Sequence, residues 1–110
     1  MRTYAAVWAE PDPDTRARMI EDCFAADGRI ATSGAGICGR AELAAAITEF
    51  RADPSGQTVR LAGAIDAQGR KFRIHTVVEQ RDGSAAAFFD AGEVDADGRI
   101  KILITFREPT

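Results

Sequence analysis

Histidine is nearly absent from this sequence. There is one, His75, and there are only two cysteines, Cys23 and Cys38, in 110 residues. Neither cysteine belongs to a C-x-x-C pair, and no Cys/His cluster has zinc spacing, so no metal site is expected. Two reduced, partly buried thiols are the expected state, with one Cys23–Cys38 disulfide as the alternative. Long apolar runs are also missing. No stretch approaches the ~20 residues of a membrane-spanning helix. The opening "MRTYAAVWAEPDPD" has neither the apolar region nor the cleavage pattern of a secretory signal. A cytoplasmic location with no membrane partner is the expectation. Excess positive charge is lacking too: 14 Lys and Arg stand against 17 Asp and Glu, a net charge of −3. The bases are scattered among acids, so nucleic acid is not an expected partner. "SGAGICG" is glycine-rich but has no G-x-x-x-x-G-K pattern, and no G-x-S-x-G is present.

What remains is an ordinary globular composition, 45% hydrophobic and 28% charged, with a length that suits one domain over 1–110. The first half has helical spacing. Tyr4, Val7 and Trp8 recur at i, i+3, i+4, and "PDPD" interrupts them. Asp14 is the expected N-cap of a second helix whose stripe is Arg16, Ile20 and Cys23 with Met19 and Phe24, and Asp27-Gly28 is its expected end. "RIAT" reads as a short strand and "SGAGICG" as a connection. Leu43, Ile47 and Phe50 mark a third helix, which "ADPSG" closes. The second half alternates with period two. Val59, Leu61 and Ile65 fall in one expected strand, and Phe72, Ile74, Thr76 and Val78 in the next, with turns at "RDGS" and "DADG". Helices followed by an antiparallel meander predict an α+β domain with helices packed on a curved sheet.

Register then decides which residues share a face. If Asp82-Gly83 are the two central residues of a hairpin turn, Val77 opposes Phe88 and His75 opposes Asp90. One face would carry Arg73, His75, Val77, Phe88, Asp90, Leu103 and Thr105. The other would carry Phe72, Ile74, Val78, Phe89, Ile102, Ile104 and Phe106. The first is an apolar floor with a few polar groups, the usual composition of a small-molecule site. An imidazole beside a carboxylate can move a proton near neutral pH. The second face is apolar enough to pack against helices or a second subunit.

The order of elements, together with "FAADGRIAT", "GRAELAAAITEF" and "FFDAGEVDADGRIKILITF", resembles the SnoaL-like branch of the nuclear transport factor 2-like superfamily. That group includes polyketide cyclases and ketosteroid isomerase-like proteins. The resemblance implies a cone-shaped, cystatin-like fold: N-terminal helices on a strongly curved, mostly antiparallel sheet around a deep pocket. It also implies a homodimer through the outer sheet face. Asp90 falls at the aspartate such cyclases use as acid/base, and His75 falls on the neighbouring strand. Thr32 stands where ketosteroid isomerases carry a base aspartate. Arg73-x-His75 partly echoes the Arg-x-Asp of limonene epoxide hydrolases, with one carboxylate lacking.

The expected function is binding of a small hydrophobic molecule without a cofactor. An enzyme would be an isomerase, cyclase or lyase using Asp90 and His75, and the alternative is a ligand-binding or dimeric interaction domain without chemistry. Tyr4, Trp8, Thr32, Phe50, Arg73, Phe88, Leu103 and Thr105 are the expected ligand-lining residues.

Overall fold

A computed structural model describes residues 2–32 and 34–109. Helix α1 (Arg2–Val7) is short and buries Tyr4, Ala5 and Val7. Helix α2 (Pro13–Cys23) begins one residue after Asp12, which accepts hydrogen bonds from Thr15 N at 2.9 Å and Thr15 Oγ1 at 2.6 Å. Asp12, not Asp14, is therefore the N-cap. Pro13 explains the choice: its fixed φ suits the first helical position, and it pushes the residue before it into extended backbone.

Asp27-Gly28 does not end α2. The helix stops at Cys23 and passes directly into strand β1 (Phe24–Ala31). Gly28 instead marks an irregularity in the pairing of β1, between Phe24 and Arg29. A Cβ there would lie 2.7 Å from the Phe24 ring and 2.8 Å from the Ile100 carbonyl oxygen, so only glycine lets the chains approach. The glycine-rich connection contains a short strand, β2 (Gly36–Cys38), paired antiparallel to β1. Helix α3 (Gly39–Ala52) follows and buries Leu43 and Ile47 completely. Burying each such side chain stabilises the fold by about 1.5–3 kcal/mol.

The remaining strands are β3 (Thr58–Leu61), β4 (Asp66–Gln68), β5 (Lys71–Glu79), β6 (Ala85–Val94) and β7 (Ile100–Arg107). Ile65 lies outside β3, because the chain breaks after Leu61 and returns to pair with the other end of β5 as β4. The sheet order is β2-β1-β7-β6-β5-β3, with β4 also on β5. Among the described residues, only β1 and β7 run parallel. The helices cover one face of this curved sheet. The core between them is built on Phe24, Leu43, Ile47, Ile74, Ile100 and Leu103. Among the described residues, no helix is long and apolar enough to cross a membrane.

Candidate functional site

The β5–β6 hairpin corrects the expected register. Gln80 N donates to Ser84 O at 2.9 Å, and Gly83 N donates to Gln80 O at 3.0 Å. Three residues, Arg81-Asp82-Gly83, thus form the loop, with Gly83 at φ +91°. A three-residue loop with its third residue left-handed shifts the pairing by one relative to a two-residue turn. Ile74, not His75, opposes Asp90, and His75 opposes Phe89. A slip of one residue exchanges the faces of a strand. Phe72, Ile74, Thr76 and Val78 therefore face the helices. Arg73, His75 and Val77 face outward.

The Asp90–His75 pair expected from the two-residue turn does not form. The His75 Nδ1 sits 2.7 Å from Glu108 Oε1 on the outer face, and the ring lies edge-on to Phe89. Arg73 is also outside, where its Nε donates to Asp66 Oδ2 at 2.7 Å. The partial echo of an epoxide-hydrolase strand thus lies on the side away from the pocket. Leu103 faces inward but is fully buried in the core and does not line the pocket.

The other expected lining residues converge. Tyr4 from α1 and Trp8 just after it, Phe50 from α3, Thr32 just after β1, and Phe88, Asp90 and Thr105 from β6 and β7 surround a cavity of about 170 Å³. Ile30, Ile37, Val59, Thr76 and Val78 complete the wall. Edge-to-face stacking fixes the aromatic side, with Trp8 6.4 Å from Tyr4 and 5.2 Å from Phe50 between ring centroids. The Thr32 hydroxyl is committed elsewhere: it donates to the Ala35 carbonyl and accepts from Ala35 N, closing the β1–β2 turn.

Thr76 was not singled out from the sequence as a site residue. Its signal was available, as the one polar member of the buried alternation Phe72, Ile74, Thr76, Val78. It is buried, at 6% exposure, and so is Asp90, at 4%. Asp90 lies between Ile74 and Thr105 in the pairing, with Thr76 on the diagonal.

Burial raises the pKa of the Asp90 carboxyl above the usual aspartate range. The hydroxyls of Thr105 and Thr76 pull against that shift, as does the charge of His75 through the sheet. Among the described residues, Asp90 Oδ1 is buried with no hydrogen-bond partner. An unpartnered buried carboxyl oxygen costs free energy, and the carboxyl group that carries it lines the cavity. Tyr4 keeps its proton more firmly still. Burial is the main cause; the nearby Trp8 opposes it, and the charge of Asp90 reinforces it. The site is therefore an apolar cavity lined by one acid with a raised pKa and by the hydroxyl groups of Tyr4, Thr32, Thr76 and Thr105.

No protein-family model matches the sequence, and no curated protein matches it. Solved structures do. One is a candidate isomerase of the SnoaL-like family from Agrobacterium tumefaciens, 27% identical, with TM-score 0.86 over 97% of this chain and 92% of that one. Another is a candidate polyketide cyclase from Sinorhizobium meliloti, 18% identical, with TM-score 0.74 over 94% and 90%. A de novo designed protein with a curved β-sheet also matches, at 16% identity and TM-score 0.67 over 93% and 76%.

Proposed function

The chain belongs to the SnoaL-like branch of the nuclear transport factor 2-like superfamily, and from that premise we propose that its pocket binds a small, largely apolar molecule and moves a proton on it through Asp90, without a cofactor. The observation that carries this reading is the orphaned Oδ1 of a buried carboxyl facing an apolar cavity. A carboxyl with a raised pKa can take a proton and return it closer to neutral pH than an ordinary aspartate can. The Tyr4 hydroxyl supplies a hydrogen bond for an oxygen that gains negative charge as the proton leaves carbon. The reaction class is cofactor-independent isomerisation or cyclisation, with Asp90 as the acid/base and without His75.

The test is hydrogen–deuterium exchange at the carbon beside the carbonyl of a small cyclic ketone such as cyclohexenone, incubated in D₂O. Exchange faster with the wild-type protein than with Asp90→Asn is expected. Equal rates in the two proteins would overturn the catalytic reading. A second reading, binding without chemistry, is favoured by the size of the cavity, about 170 Å³, which is below the range of roughly 300–1,000 Å³ usual for ligand pockets. The designed relative sharpens the point: similar folds are no evidence of an activity.

We also propose that the outer sheet face mediates a homodimer. Phe89, Ile102, Ile104 and Phe106 lie there, and Ile104 and Phe106 are 38% and 55% exposed.

A further inference from the structure

Phe50, Val78 and Phe88 line the cavity and also line an adjoining, more polar groove of about 380 Å³. The groove's polar side chains are Gln57, Gln80, Ser84 and Arg107, and no carboxylate lines it. Arg107 makes no ion pair among the described residues, whereas Arg60 and Arg73 on the same sheet are each held by a carboxylate at 2.7 Å. The one carboxylate next to it in sequence, Glu108, is engaged by His75. The register places Arg107 opposite Phe88, just as Thr105 is opposite Asp90. Two residues along a strand separate these pairs by about 7 Å.

We infer that cavity and groove form one site, and that it takes a small monocyclic carboxylic acid. The ring fills the cavity, a hydroxyl at its far end donates to the Asp90 carboxyl group, and the carboxylate passes between Phe50, Val78 and Phe88 to Arg107. A cavity near 150 Å³ holds a benzene-sized ring, which matches the space beside Asp90. Arginine binds a carboxylate through two parallel N–H···O bonds, and no neighbouring acid in the groove competes for it.

This inference rests on the pocket reading above, and a pair of probes separates the two. 3-(4-Hydroxyphenyl)propionate and its amide share ring, hydroxyl and length, and differ only in charge. Trp8 is the single tryptophan and lines the cavity, so its indole N–H resonance reports occupancy. At low ionic strength the acid is expected to bind the wild-type protein about tenfold more tightly than the amide, a gap typical of one charge-assisted contact. Arg107→Gln should remove that gap by weakening the acid alone, and Arg107→Lys should restore part of it. If acid and amide bind the wild-type protein equally, or if Arg107→Gln weakens both alike, the carboxylate assignment is overturned and the pocket reading stands. If neither probe moves the Trp8 resonance at millimolar concentration, the carboxylic-acid assignment is overturned, and the cyclohexenone exchange alone decides the pocket reading.

Discussion

Asp90 occupies a strand position that valine or isoleucine would stabilise better, so its presence has a measurable thermodynamic signature. Burial raises its pKa in the folded protein, so the folded state keeps the proton at pH values where the unfolded chain has released it. By linkage, stability falls as pH rises through the window between the unfolded and folded pKa values and stays lower above it. Asp90→Asn removes this dependence. The variant should match the wild-type protein below about pH 4, where even an unfolded aspartate is protonated. It should exceed it at neutral pH, where the folded wild-type protein must either hold a buried charge or take up a proton. Urea denaturation across pH 3–8 checks this, and a constant difference at every pH would contradict it. The two cysteines make a simpler contrast. Both are free, which decides against the disulfide; Cys38 is exposed and Cys23 buried. Burial pushes the Cys23 thiol up to about 11, so an aromatic disulfide reagent should label one thiol per native chain quickly. The second should react only on unfolding; two equally fast thiols would count against the fold.

At the scale of elements, strands β5, β6 and β7 were legible in the sequence, whereas β2, β4, the start of β1 and the register between β5 and β6 were not. The alternation in β5, β6 and β7 identified the strands, because one face of each is buried. The inward set on β6 and β7 was legible as well: Phe88 and Asp90, then Leu103 and Thr105. The failure on β5 came from one loop. An Asp-Gly pair is compatible with a two-residue turn and with a three-residue loop whose glycine is left-handed, and the two differ by one residue of register. The intervening hydrogen bonds, not the residue types, separate them. Asp27-Gly28 misled in a similar way, since the same dipeptide lies inside a bent strand there. Gly92 shows what the outcome demands. It opposes Phe72 on the inner face, and a Cβ at Gly92 would collide with the Ile102 carbonyl oxygen and crowd the Phe72 ring. Backbone in a paired strand cannot move aside cheaply. Gly92→Ala should therefore destabilise by roughly 1–3 kcal/mol, the common cost of overpacking. An unchanged urea midpoint would show that the sheet accommodates the methyl group and that the strands are less closely set than described.

At the scale of the molecule, the two sides of the sheet have different surroundings. One is closed by helices and holds the cavity; the other is left bare. The sequence reading assigned Phe89, Ile102, Ile104 and Phe106 to an apolar outer face, and the strand pairing keeps these four together. Ile74, Phe72 and Val78 leave that set and join the core side, so the bare face is smaller and more mixed than the two-residue turn implied. It carries His75 bonded to Glu108, and Phe106 stacked 6.4 Å from Phe89. An exposed apolar cluster with a polar edge is how many self-complementary interfaces are composed. A two-fold axis through it would place each Phe106 against the partner's sheet. Light scattering at micromolar concentration should give twice the chain mass of 11.8 kDa. Phe106→Asp should reduce it to one chain, because an isolated carboxylate in a dry interface costs more than the contact returns. Because Phe106 is on the face away from the cavity, the same substitution should leave probe binding at Trp8 intact. A wild-type monomer, or a variant that stays dimeric, would assign the bare face no role in self-association.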